Sequence, residues 1–190
     1  AGGRLMPIRE DAVGRAKKIK LVILDVDGVL TDGIIYVAPD GSELYKPFFA
    51  RDGLIISLAR KVGVDTAIIT GRASSIVANR AQELHIDHVY QGSLDKRAAY
   101  ADIKVQTGLA DEEIAYIGDD IVDLPILRRV GLPCAVGDAV PEVRDAAQII
   151  AAAPGGRGAV REIYEIILKS QGLWDGVLTA FLEDDDKIAQ

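Results

Sequence analysis

Seven side chains have types and spacing that could do phosphate chemistry. Asp25 and Asp27 stand two residues apart in Asp25-Val26-Asp27-Gly28-Val29. Thr70 opens Thr70-Gly71-Arg72, Lys96 stands alone, and Asp119, Asp120 and Asp123 cluster in Gly118-Asp119-Asp120-Ile121-Val122-Asp123. Carboxylates gathered in apolar surroundings repel one another unless a cation joins them, and a hard, oxygen-preferring ion is the natural partner. Mg²⁺ fits best: Asp25, Asp27 and Asp119 bring at most −3, Mg²⁺ and Lys96 restore +3, and Arg72 or Arg51 is left to meet an anion, most obviously a phosphate group. No Cys or His stands beside these positions, which argues against zinc, and His85 and His88 read as surface or core contacts. Singly, each feature has a plainer reading: Asp-x-Asp-Gly is commonly a solvated turn, Thr70 could cap a helix, Lys96 could be a surface charge, and Gly118-Asp119-Asp120 a loop. Their joint occurrence, each directly after an apolar run, is hard to reach by accident.

The elements that must position them follow a repeated pattern of a short β-branched run and then a helical stretch, the form of βαβ units in a mainly parallel sheet. Strands are expected at Leu21–Val26, Val64–Ile69, His88–Tyr90, Ile114–Ile117, Cys134–Val136 and Gln148–Ile150. Helices are expected at Gly53–Lys61, Ser74–Leu84, Lys96–Thr107, Val122–Arg129, Pro141–Ala146 and Arg157–Lys169. In such a sheet ligands bind beyond the carboxyl ends of the strands where strand order reverses, which is where the seven residues fall. One segment breaks the alternation: Gly33–Ala38 and Glu43–Phe49, joined by Pro39-Asp40-Gly41-Ser42, read as a β-hairpin projecting after the first strand. The expected fold is therefore an α/β, Rossmann-like, doubly wound parallel sheet with an inserted hairpin. Residues 28–69 and 71–95, which separate Asp27, Thr70 and Lys96, are too short for a large cap domain. Residues 1–172 read as a single domain. Beyond them the pattern weakens, and 173–190, with the acidic run Glu183–Asp186, read as a tail that is ordered only if it docks.

Composition narrows the partners. The chain has 190 residues, 49% of them hydrophobic and 27% charged, with a formal charge of −7 and scattered basic residues, which argues against a nucleic-acid partner. No stretch approaches the ~18 apolar residues of a membrane span, and no signal-peptide apolar region precedes the first strand. The single cysteine, Cys134, rules out an internal disulfide and suits core packing in a reducing, cytoplasmic compartment.

The motifs at Asp25-Val-Asp-Gly-Val, Thr70, Lys96 and Gly118-Asp-Asp-Ile-Val-Asp123 resemble the four motifs of the haloacid dehalogenase superfamily of phosphohydrolases over residues 20–172. With Arg51-Asp52-Gly53, Tyr90-Gln-Gly92 and Gly155-Gly-Arg-Gly-Ala-Val-Arg-Glu162 added, the chain is similar to the bacterial family that releases phosphate from 3-deoxy-D-manno-octulosonate 8-phosphate in lipopolysaccharide synthesis. The resemblance implies Asp25 as nucleophile, Asp27 as acid and then base, and Thr70 and Lys96 on the transferring oxygens. It also implies Mg²⁺ held by Asp25, the Asp27 backbone carbonyl and Asp119, with Asp120 and Asp123 orienting metal-bound waters or Lys96 from behind. For the substrate it implies Arg51, Asp52, Gly53, Gly71, Arg72, Arg80 and Lys96. It further implies a homotetramer in which a neighbour's surface and tail complete the pocket. Leu54-Ile55-Ile56, Phe49 and Ser57 depart from residues common in that family, so a nine-carbon sialic-type sugar phosphate is the alternative substrate. Two other classes are compatible with the fold: a receiver-like domain that accepts phosphate as a signal, and a catalytically silent binding domain.

Overall fold

The structure is a computed structural model in which residues 9, 11–93 and 95–182 are described. After a short helix α1 (Ala12–Ala16), strand β1 (Leu21–Leu24) enters the middle of the molecule, and all four of its residues are buried. A hairpin of β2 (Tyr36–Val37) and β3 (Glu43–Tyr45) follows, then α2 (Ala50–Lys61), β4 (Asp65–Ile69), α3 (Ser75–Glu83), β5 (His88–Tyr90) and α4 (Lys96–Thr107). The second half comprises β6 (Ile114–Gly118), a 3-10 turn at Ile121–Asp123 running into α5 (Leu124–Leu127), β7 (Leu132–Ala135), α6 (Pro141–Ala146) and β8 (Ile149–Ile150). Two C-terminal helices, α7 (Ala159–Ser170) and α8 (Trp174–Leu182), close the described chain.

The six main strands form one sheet in the order β5-β4-β1-β6-β7-β8, every neighbouring pair parallel. The chain moves outward from β1 through β4 to β5, then crosses back to β6 and moves outward the other way. The order therefore reverses at the centre, between β4, β1 and β6. Helices α1, α2 and α7 pack together, and α4, α5 and α6 form a second group. That is the doubly wound fold expected, with a separate two-stranded hairpin and, among the described residues, no cap domain. Ile23, Leu24, Ile69, Tyr116 and Ile117 are fully buried between the helix groups, and a polar pair in that core, Thr66 Oγ1 with the Tyr164 hydroxyl at 2.6 Å, is mutually satisfied.

Three differences from the expected elements have local causes. Strand β7 begins at Leu132 rather than Cys134 because Pro133 needs only its carbonyl there, which accepts from Gln148 N at 2.7 Å. The helix expected from Val122 to Arg129 is a 3-10 turn followed by four α-helical residues with Pro125 in their first turn. Within the segment expected as a tail, Trp174–Leu182 is helical and docks on α7: Val177 is buried, and Arg161 and Lys169 lie 5.3 and 5.1 Å from the Trp174 ring centroid. The acidic run Glu183–Asp186 lies outside the described residues. No described helix is long and apolar enough to cross a membrane.

Candidate active site

The carboxyl ends of β1, β4 and β6 lie side by side and open into a cavity of about 280 Å³. Asp25 comes directly off β1 and is 6% exposed. Its Oδ1 accepts from the Val26 amide at 2.6 Å, and its Oδ2 pairs with Lys96 Nζ at 2.8 Å. Burial, reinforced by the charge of Asp123 and opposed by Lys96, pushes the Asp25 carboxyl up to about 6. Three residues on, Gly28 takes a φ of +86°, and a Cβ at this position would meet Asp119 Oδ2 at 2.0 Å. Only glycine lets the two loops approach so closely.

Lys96 opens α4, yet its side chain is nearly sealed, because all three ammonium hydrogens find partners inside the protein. These are Asp25 Oδ2, Asp123 Oδ1 at 2.7 Å and the Tyr116 hydroxyl at 3.1 Å. Burial alone would lower this ammonium, but Asp123 and Asp25 outweigh it and hold it above the usual lysine value. Asp123, with no exposed surface, is saturated. Its Oδ1 accepts from Lys96 and from the Tyr116 hydroxyl at 2.6 Å, and its Oδ2 from the backbone amides of Asp119 at 3.0 Å and Asp120 at 3.4 Å. Asp123 therefore holds Lys96 and shapes the loop after β6. Asp120 is exposed and caps the turn through Ile121 N at 2.7 Å.

Oxygens of Asp25, Asp119 and Asp123 lie within 4.8 Å of one another, the one such group of possible metal ligands among the described residues. Burial, followed by the charges of Asp123, Asp25 and Asp120, pushes the Asp119 carboxyl up to about 7. Like charges compressed in this way favour a divalent cation, and an all-oxygen donor set suits Mg²⁺. Because Asp123 is committed to four donors, Asp25 and Asp119 are the carboxylates able to face an ion. The Asp27 side chain is not in the group. It turns to the hairpin, where Lys46 Nζ lies 2.5 Å from its Oδ1.

Thr70, Gly71, Arg72 and Lys96 line the same cavity as Asp25, Asp27, Asp119 and Asp120. Thr70 does not cap a helix. Its backbone ties β4 to β5 through Tyr90 O, and the cap of α3 is Ser74, which accepts from Val77 N at 3.3 Å. Arg72 is half exposed, with Nε 3.9 Å from Asp27 Oδ2.

Arg51, Asp52, Gly53 and Arg80 do not line the cavity; the structure gathers the last three elsewhere. Arg51 is exposed on the first turn of α2. Asp52 is 1% exposed and works as a remote cap of α7, accepting from Arg161 N at 2.9 Å, while burial pushes its carboxyl up to about 6. Arg80 lies against Gly53, 5.7 Å from the Phe48 ring centroid, and pairs with Glu83 at 2.7 Å. The residues that sequence reasoning missed are Lys46, Glu43 and Tyr116. The hairpin run carried no signal for Lys46, because what its side chain meets depends on how the hairpin folds back. Tyr116 carried none, since a strand tyrosine reads as packing.

Comparison with known proteins accounts for this arrangement. Residues 74–163 match the model of the haloacid dehalogenase-like hydrolases. The 3-deoxy-D-manno-octulosonate 8-phosphate phosphatase KdsC of Escherichia coli K12 is 44% identical over 169 residues, 89% of each chain. The crystal structure of the 3-deoxy-D-manno-octulosonate 8-phosphate phosphatase from Yersinia pestis superposes with a TM-score of 0.85 at 44% identity, over 88% of this chain and 90% of that one. The enzyme of the same name from Moraxella catarrhalis, solved with magnesium ion, phosphate ion and KDO, gives 0.87 at 39% identity over 91% and 99%. Identity at this level along most of both chains, on the same doubly wound sheet, leaves one conclusion: this chain belongs to the haloacid dehalogenase superfamily, in the family of 3-deoxy-D-manno-octulosonate 8-phosphate phosphatases.

Proposed function

We propose that the chain is a Mg²⁺-dependent phosphatase that hydrolyses 3-deoxy-D-manno-octulosonate 8-phosphate to the free sugar acid and inorganic phosphate. The observation that carries this reading is the convergence of Asp25, Asp119 and Lys96 in one cavity at the reversal of strand order. The Asp25 carboxylate attacks phosphorus while the bond from phosphorus to the sugar oxygen breaks, and that oxygen takes a proton from the Asp27 carboxyl. An aspartyl-phosphate and the sugar hydroxyl result. Water then attacks phosphorus, gives its proton to Asp27 and frees Asp25. Mg²⁺ held by Asp25, Asp119 and the Asp27 carbonyl supplies Lewis-acid neutralisation of phosphoryl charge. Lys96 balances Asp25, and Thr70, Gly71 and Arg72 bind the anionic substrate. Asp27 also weighs against the receiver-like reading, since a stable phospho-acceptor has no use for a proton carrier beside it.

The same reading places the protein in the cytoplasm as a homotetramer. It is supported by the hairpin, which leaves Ile34, Val37, Leu44 and Tyr45 between 47% and 57% exposed, an apolar surface suited to contact between subunits. Arg51, exposed and lying outside this chain's cavity, would reach substrate only across such a boundary. The test is phosphate release from a panel of sugar phosphates with Mg²⁺ or EDTA. Preference for the eight-carbon 2-keto acid supports the assignment. Preference for a nine-carbon acid, or equal turnover of hexose phosphates, overturns the substrate. No release by the wild type overturns the phosphatase.

A further inference from the structure

The hairpin does more than offer an apolar surface. Lys46, which follows β3, is 8% exposed, and burying an ammonium is costly unless it is paired. Its Nζ lies 2.5 Å from Asp27 Oδ1 and 2.8 Å from Glu43 Oε1. Glu43 Oε2 accepts in turn from the hydroxyl of Ser74, which caps α3 just beyond Thr70-Gly71-Arg72. A continuous chain of polar contacts thus runs from the loop after β4, through the hairpin, to the side chain of Asp27. It engages one oxygen of that carboxylate, while the other, Oδ2, lies 3.9 Å from Arg72 Nε, both residues lining the cavity.

We propose that Lys46, braced by Glu43, is a positioning residue of the reaction: it grips Asp27 Oδ1 so that Oδ2 is the oxygen that exchanges a proton with the leaving group and then with water. The inference rests on the acid–base role read for Asp27 above. An untethered aspartate samples several χ1 and χ2 wells, and proton transfer requires its oxygen within hydrogen-bond reach of the sugar oxygen. The grip removes that search and couples it to the hairpin, so whatever packs on the hairpin's apolar face also steadies the proton carrier.

The effect should depend on the leaving group. A sugar alkoxide needs a proton as it departs, whereas p-nitrophenolate does not. Lys46→Met should lower kcat on the sugar phosphate by about 10- to 100-fold with KM altered less than about 3-fold, and lower the single-turnover rate of p-nitrophenol release from p-nitrophenyl phosphate, a step that precedes the attack of water, less than about 3-fold. Lys46→Arg, which can still reach a carboxylate, should recover most of the loss. In an Asp27→Asn background, Lys46→Met should cost almost nothing further. Equal losses on both substrates, or a full additional loss in the Asp27→Asn background, would overturn the proposal. Should Lys46→Met fail to fold by circular dichroism, Glu43→Gln, which loosens Lys46 without emptying its site, is held to the same leaving-group criterion with a smaller loss. If Asp27→Asn itself leaves sugar-phosphate turnover intact, the acid–base reading falls first. If Asp27→Asn is crippled while Lys46→Met ignores the leaving group, only the role of Lys46 falls.

Discussion

The two ends of the central sheet both carry a cavity, and they differ in what they bury. At the carboxyl end, Asp25, Thr70 and Lys96 are at most 6% exposed around a space of about 280 Å³. At the amino end a larger space, about 320 Å³, is bordered by Lys20, Arg60, His85 and His88, of which only His88 is part-buried. Lys20 there is spent on Glu113 at 2.6 Å. Size favours the amino end, yet the desolvated charges sit at the other. Water has been removed from an ammonium and several carboxylates there at a cost in stability, and only a site that uses those charges explains retaining them.

The sharpest way to break that contrast is Asp25→Asn. Turnover should fall on the order of 10⁴-fold or more with the fold intact, measured as phosphate release beside a thermal melt; retention of a tenth of the activity would move the chemistry elsewhere. Tyr116→Phe removes a single buried hydroxyl from the Lys96 and Asp123 cluster and should lower kcat about 10-fold while KM holds, whereas a parallel rise in KM would mean that the hydroxyl serves binding instead.

Asp52→Asn probes a buried carboxylate that the contrast assigns to structure. The folded carboxyl lies at about 6 against an ordinary 3.8, so its contribution is fully present below about pH 4 and is lost as pH rises through about 6. Between pH 4 and 8 the wild type should therefore lose on the order of 1 kcal/mol that the variant does not, with KM unchanged. Parallel stability curves, or a raised KM, would return Asp52 to the substrate. Least of all should follow from His85→Ala with His88→Ala at the amino end: less than about a 2-fold change in kcat/KM, and any larger loss would show that the two ends communicate.

The carboxyl-end site was legible because Asp25, Thr70 and Asp119 follow apolar runs and Lys96 opens the helix after β5, and a parallel sheet aligns the ends of its strands whatever lies between them. Asp25, Thr70, Lys96 and Asp119 needed only that rule to be brought together. Lys46 was not legible, because its approach to Asp27 depends on how a hairpin folds back, which neither alternation nor propensity encodes. Asp52 and Arg80 lie outside the carboxyl-end cavity because the amides at the start of α7 engage the one and the ring of Phe48 the other. In α8, one buried valine and one tryptophan were too little pattern to mark a helix whose stability comes from docking on α7.

Gly155 packs so tightly over the loop after β1 that a Cβ there would stand 1.7 Å from the carbonyl oxygen of Gly28, and Gly156 N donates to Val29 O at 2.9 Å. The loop that presents Asp25 is thus clamped by a segment synthesised about 130 residues later. A ribosome must therefore extrude residue 156 before the loop that carries the nucleophile can be clamped in place.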